Sequence, residues 1–173
     1  IFTTYNSPDW LQKVLWGFAQ QTDDNFEIVI ADDGSTAETQ QVITNFQTSS
    51  SIPVKHIWQE DNGFQKCRIL NKAIIAAEGE YIIVTDGDCI PRKDFISVHR
   101  EKAQPGYFLS GGYLKLPLKL SQAINHQDII NGSCFDKNWL IERGLNKSHK
   151  LWKLTPSTAL TKLFNRLTPT RRT

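Results

Sequence analysis

Asp86 and Asp88 stand two residues apart in the stretch YIIVTDGDCIP, residues 81–91, with only Gly87 between them. Residues two apart in extended chain point to the same side, so the two carboxylates face one way. Gly87 permits a tight bend and close approach of a ligand to the backbone. Two like charges at such short range disfavour each other unless a cation sits with them. Oxygen donors suit a hard divalent ion, Mn²⁺ or Mg²⁺. The bland alternative is a solvated turn, since Asp-Gly is a common turn dipeptide. An ion held by one or two carboxylates fills its remaining positions with water and substrate phosphates, so the expected ligand carries a diphosphate. No GxxxxGK[ST] and no GxGxxG segment is written in the chain, which removes a P-loop and a dinucleotide fingerprint.

Three other segments carry marked residues: Thr3-Tyr5-Asn6, Asp32-Asp33-Gly34-Ser35, and Asn62-Gly63 with Arg68 just beyond. Asp33, after a short apolar run, has the place of an acidic residue that accepts hydrogen bonds from a base or ribose. It equally suits a turn that leads into the next helix with Ser35 as N-cap, and the two roles are compatible. Asp32 is expected to shape that turn. Arg68 can pair with a diphosphate or with Asp86, or stand solvated at a helix start.

Position is what these residues share. Ile1–Tyr5, Phe26–Ala31, Val54–Trp58 and Tyr81–Thr85 read as strands, the second and fourth as buried runs. Between them lie helical patterns. The first starts at Ser7-Pro8, an N-cap and a first-turn proline, and buries Leu11, Val14, Leu15 and Phe18. The second runs to about Phe46, and the third covers Arg68–Ala77. Strand and helix alternate, which predicts a largely parallel α/β sheet, with ligands collecting beyond the carboxyl ends of its strands. All four marked segments fall there. After Pro91 the rhythm weakens: Lys93–Arg100 reads as a helix and Tyr107–Leu116 as a strand.

With 173 residues, the chain has the size of one domain. Residues 1–142 hold 12 Lys and Arg against 18 Asp and Glu, a balance of −6, whereas residues 143–173 hold eight Lys and Arg and no acid, a balance of +8. An acidic body argues against nucleic acid as its partner. The basic stretch, with Trp152 and Phe164 among its apolar residues, suits a diphosphate lid or the anionic surface of a membrane. Cys67, Cys89 and Cys134 lack CxxC spacing, so neither a disulfide framework nor a zinc site is expected, and a reducing, cytoplasmic setting fits. The chain opens at Ile1 within a strand pattern and reads as clipped at its front.

In order, TYN at a strand end, the DDGS turn, NGFQKCRILNKA and GEYIIVTDGD resemble the catalytic domain of glycosyltransferase family 2. Within it they resemble bacterial capsule and lipopolysaccharide enzymes, including the chondroitin-polymerase type. The likeness spans residues 1–116, with residues 117–173 as the start of an acceptor-side region ending in the basic stretch. It implies a GT-A fold, a Rossmann-like, mostly parallel sheet flanked by helices. It also implies inverting, metal-dependent transfer from a nucleotide-diphosphate sugar, a UDP-sugar, to a glycan or lipid-linked acceptor at the inner face of the membrane. By position it sets Thr3 and Tyr5 against the nucleoside, with Asn6, Asn62 and Gly63 in the same site and Asp33 on the base. Arg68 then steadies the nucleotide, Asp86 touches ribose or metal, and Asp88 is the principal metal ligand.

The family's carboxylate base and its GWG segment have no counterpart here. His126, Asp128 and Asp136 are the nearby titratable residues, and their spacing singles out none. The resemblance therefore implies a fragment whose base lies outside the chain. Three rivals stand beside it: a haloacid-dehalogenase-type phosphotransferase with Asp86 as nucleophile, a nucleotidyltransferase, and a sugar-nucleotide-binding module without catalysis.

Overall fold

Five consecutive residues, Ile28–Asp32, form β2, and every one of them is buried. Such a run is stable only in the middle of a sheet covered on both faces, and in the computed structural model, which describes residues 1–147 together with Leu151 and Leu154, that is its place. β1 (Phe2–Thr4) and β3 (Val54–Trp58) flank it, and β4 (Thr85–Asp86) lies outside β1, giving the order β3-β2-β1-β4. All three pairings are parallel, with Phe2 opposite Ile30 and Thr85, and Ile28 opposite Val54. The connections are helical: α1 (Pro8–Phe18), α2 (Ala37–Ser49) and α3 (Lys66–Ala76).

The two-residue period of a strand sorts the core into two layers. Phe2, Ile28 and Ile30 pack against Leu11, Val14, Leu15 and Phe18 of α1 and against Ile43 and Phe46 of α2. Val29 and Ala31 face the other way and meet Ile69 and Ala73 of α3. The same alternation parts the adjacent aspartates. Asp32 follows Ile30 toward α1 and α2, and Asp33 follows Ala31 toward α3.

Beyond β4 come α4 (Phe95–Lys102), α5 (Leu118–Ala123), α6 (His126–Ile130), a 3₁₀ turn (Ser133–Phe135) and α7 (Lys137–Glu142). Ile124, Ile129 and Cys134 pack with Trp16 on the flank of α1, and the Lys13 ammonium donates to the carbonyls of Ser121 and Gln122 at 2.8 and 2.9 Å. No helix among the described residues is long and apolar enough to cross a membrane.

Four expectations are corrected. The fourth strand has two residues rather than Tyr81–Thr85. Ile83 accepts from the Ile1 amino group at 2.7 Å and packs on the first core layer, whereas Tyr81, Ile82 and Val84 are exposed. Tyr107–Leu116 is not a strand. Leu114 and Leu116 instead join the cluster of Leu120, Leu140, Leu145 and Leu151. Helix α2 begins after Thr36 rather than Ser35, because the Ser35 amide donates to Asp32 Oδ1 at 2.8 Å and Asn6 Oδ1 takes the Thr36 amide at 2.8 Å. Helix α3 begins at Lys66, two residues ahead of Arg68. The lid and membrane readings of residues 143–173 fall largely outside the described residues.

Candidate functional site

Asp33 lies at the carboxyl end of β2 on the α3 side, 7% exposed. Its Oδ1 accepts from Gln59 Nε2 at 2.6 Å and its Oδ2 from the Gln65 amide at 2.8 Å. Each oxygen retains acceptor capacity, so the carboxylate is oriented without being saturated. Because Gln59 must donate to Asp33, its own Oε1 is fixed as the opposite end of the amide. That oxygen is buried without a hydrogen-bond partner, as is Thr4 Oγ1. Buried acceptors left in this state are costly unless water or a ligand reaches them.

In front of Asp33 is a cavity of about 230 Å³ lined by Thr3, Thr4, Tyr5, Asp33, Gly63, Phe64 and Lys66. Tyr5 donates its hydroxyl to Asp61 Oδ2 at 2.8 Å, a bond that raises the phenol's pKa. Asp61 Oδ1 in turn accepts the Gly63 amide at 3.1 Å. Gly34 has a left-handed φ of +96°, and a Cβ placed on it would stand 2.6 Å from Asp61 Cα. The turn after β2 and the loop after β3 are therefore in direct backbone contact. Asn6, itself at φ 44°, joins the first two loops by donating its amide to Ser35 Oγ at 2.9 Å and accepting from Thr36. Asn6 thus ties loops together and does not line the cavity.

The second aspartate of the pair has a different partner set. Asp32 is fully buried, and its Oδ2 lies 2.8 Å from His56 Nε2. Burial pushes its carboxyl pKa up, but hydrogen bonds from His56 and from Ser35 outweigh this and hold it below the ordinary value. Asp32 shapes the turn, as its place before Ser35 predicts.

The register pairs Thr3 with Asp86, which sets Asp86 beside the cavity. The Lys66 ammonium, at the start of α3, bonds Asp86 Oδ1 at 2.7 Å. Gly87 donates its amide to the Thr3 carbonyl at 3.0 Å, and a Cβ there would fall 2.5 Å from that same oxygen. Only glycine fits. Ligand atoms of Asp86, Asp88 and Cys89 lie within 4.8 Å of one another. Burial, and then the neighbouring Asp88, push the Cys89 thiol up to about 11, and its Sγ donates to Asp88 Oδ1 at 3.6 Å. The two carboxylates supply the hard oxygen donors that a divalent ion takes, with Cys89 Sγ beside them.

Of the residues expected from sequence, Thr3, Tyr5, Asp33 and Gly63 share the cavity, and Asp86 is joined to it through Lys66. Asp88 stays with Asp86. Asn62 is exposed, with its carbonyl accepting from Gln65 Nε2 at 3.2 Å. Arg68 is exposed and bonds Gln65 Oε1 at 3.0 Å. Two residues along a helix point to nearly opposite sides, so Lys66 and Arg68 cannot both face the cavity, and Lys66 does. Lys66, Gln59 and Phe64 were missed. Strand parity, which sets Gln59 on the side of Ile57 and Asp33, is the signal that would have found the second of them. His126 packs on Trp16 with centroids 4.7 Å apart. Asp128 completes a capping box with Asn125, and Asp136 caps α7.

A family model described as "Glycosyl transferase family 2" matches residues 1–155. Chondroitin synthase of Escherichia coli is 29% identical over 102 residues, covering 58% of this chain and 15% of that protein. Protein CgeD of Bacillus subtilis is 32% identical over 117 residues, covering 62% and 28%. The crystal structure of Staphylococcus aureus TarS 1–349 superposes with a TM-score of 0.50 at 26% identity, covering 58% of this chain and 30% of that one. A relative named poly(ribitol-phosphate) beta-N-acetylglucosaminyltransferase TarS, of Staphylococcus aureus, is 32% identical over 90 residues, covering 51% of this chain and 15% of that protein. The match thus covers less than a third of the length of each of these relatives.

Proposed function

The chain belongs to glycosyl transferase family 2, and on that premise we propose that it forms the donor half of a metal-dependent, inverting glycosyltransferase that takes a UDP-sugar. The phosphotransferase and nucleotidyltransferase readings fall with that membership. One observation carries the proposal: an oriented carboxylate, Asp33, lines the same cavity as Lys66, whose ammonium bonds Asp86 of the Asp86–Asp88 pair. At about 230 Å³ the cavity has room for a nucleoside base rather than a whole nucleotide-sugar, since pockets for complete drug-sized ligands run from about 300 Å³ upward. The base enters it, its N3–H donates to Asp33, and Tyr5 and Thr3 line the nucleoside.

The diphosphate then lies over the start of α3 and the aspartate pair. A divalent cation bound by Asp86 and Asp88 would act as a Lewis acid on the charge that develops on the leaving diphosphate. Around it, Lys66 supplies a further positive charge, Gly87 keeps the backbone close to β1, and the paired loops hold the base end fixed. Arg68 and Asn62 reach the nucleotide only from the rim.

Residues 1–116 are the donor-binding core in this reading, and residues 117–173 begin the acceptor side. His126, Asp128 and Asp136 are engaged in packing and caps, so the base that activates a glycan or lipid-linked acceptor comes from outside these residues. The basic stretch 143–173 keeps the domain near anionic phosphates, at the cytoplasmic face of a membrane. Calorimetric titration with UDP tests the donor site. Binding should strengthen when Mn²⁺ or Mg²⁺ is added, and Asp88→Ala should lose more of that gain than Asp32→Ala. Equal affinity with metal and with chelator would reject the metal role.

A further inference from the structure

We infer that Lys66 is a resident counter-ion which competes with the divalent cation for Asp86, and that it passes to the donor diphosphate when the cation arrives. This rests on the donor-site reading above and adds to it a coupling between metal and nucleotide.

The ammonium of Lys66 stands 2.7 Å from Asp86 Oδ1, where an entering cation must bind. A divalent ion on that oxygen and an ammonium in contact with it repel each other, so one displaces the other. Lys66 is free to move. Its side chain is 40% exposed, Asp86 is 57% exposed, and among the described residues the bond to Asp86 is the hydrogen bond that holds its ammonium. It also has a destination, because Lys66 lines the cavity that Asp33 also lines. As the first residue of α3, it sits at the end of the helix where the dipole favours an anion. Arg68 cannot replace it, being turned toward Gln65.

The consequence is cooperative binding. With no nucleotide present, the metal must break the Lys66–Asp86 pair. With a diphosphate present, Lys66 gains a new partner as it leaves. By linkage, the factor by which nucleotide tightens metal equals the factor by which metal tightens nucleotide. An exposed ion pair is weak, so its removal should change metal affinity only about two- to fivefold.

Removing the charge with Lys66→Met should therefore shift two affinities in opposite directions. Free Mn²⁺ is followed by its electron paramagnetic resonance signal, and UDP binding by calorimetry, in the wild-type chain, Lys66→Met and Lys66→Arg. In Lys66→Met, Mn²⁺ alone should bind about two- to fivefold more tightly, while UDP in saturating Mn²⁺ should bind more weakly. Lys66→Arg should restore both toward wild type. If Mn²⁺ alone binds Lys66→Met no better than wild type, Lys66 does not compete and the inference is overturned, while the donor site stands. If the wild-type chain binds neither UDP nor Mn²⁺, the donor-site reading fails and takes the inference with it. Equal melting temperatures of the three proteins establish that the shifts arise at the site.

Discussion

Gly87→Ala should disable the cation half of the site while leaving the base half working. The new Cβ would lie 2.5 Å from the Thr3 carbonyl oxygen, whereas carbon–oxygen contacts between neighbouring strands close to about 3.3 Å at best. Relief needs a separation of roughly 0.8 Å between β4 and β1, taken in the direction of the Gly87–Thr3 hydrogen bond. That bond, now 3.0 Å, would leave the useful range. Overpacking costs about 1–3 kcal/mol, and one lost hydrogen bond about 1 kcal/mol. Because β4 is a two-residue edge strand with exposed neighbours, the shift is absorbed locally. The global loss should thus fall at the low end, about 1–2 kcal/mol by urea denaturation. Asp86 and Asp88 move with the strand, so UDP affinity should become insensitive to Mn²⁺. Metal-free UDP binding, which depends on Asp33, should stay within about threefold of wild type, under 0.7 kcal/mol. A variant that keeps both the wild-type urea midpoint and the wild-type Mn²⁺ dependence would refute the reasoning.

Two further outcomes follow from the carboxylates. Asp32 has a depressed pKa, so its contribution to stability is full above the ordinary aspartate value of about 4 and is lost as pH falls through its lowered value. The stability gap between the wild-type chain and Asp32→Asn should accordingly narrow from pH 6 to pH 3 in urea titrations, and a constant gap would exclude the carboxylate as its source. Gln59→Leu should lower UDP affinity about tenfold, since it releases a charge-assisted bond to Asp33. It should cost little stability, because the unpartnered Oε1 leaves with the amide. Loss of fold without loss of affinity would assign Gln59 to packing alone.

The parts of the fold that local pattern determines were legible. A continuous apolar run ending in Ala31 reads as a central strand, and Leu11, Val14, Leu15 and Phe18 recur at helical spacing and are the buried face of α1. The converging strand ends followed from alternation of strand and helix. What was not legible depends on partners distant in sequence. Tyr81–Ile83 have strong strand propensity, yet Tyr81 and Ile82 lie exposed outside any strand, and Ile83 is held by the Ile1 amino group and by packing on the first core layer. Ser35 is a good N-cap by type, but Asp32 and Asn6 claim its polar groups. Lys66 outranks Arg68 only because α3 starts one half-turn earlier than its apolar pattern suggests. Propensity proposes such roles, and tertiary hydrogen bonds reassign them.

The contrast between β2 and β4 bears on how fast the two halves of the site open. Asp33 follows a strand paired on both sides and wholly buried, whereas Asp86 ends a strand paired only with β1. Amide protons beside Asp33 should exchange with deuterium only through near-global unfolding, and those of Thr85 and Gly87 through fraying of the edge. A donor bound across both halves would be gripped at one end by a rigid element and at the other by a mobile one. Ordering the mobile end consumes part of the interaction energy and so weakens equilibrium affinity. The same looseness gives the spent nucleotide a quick exit, because departure needs only the edge to fray and leaves the rest of the sheet intact.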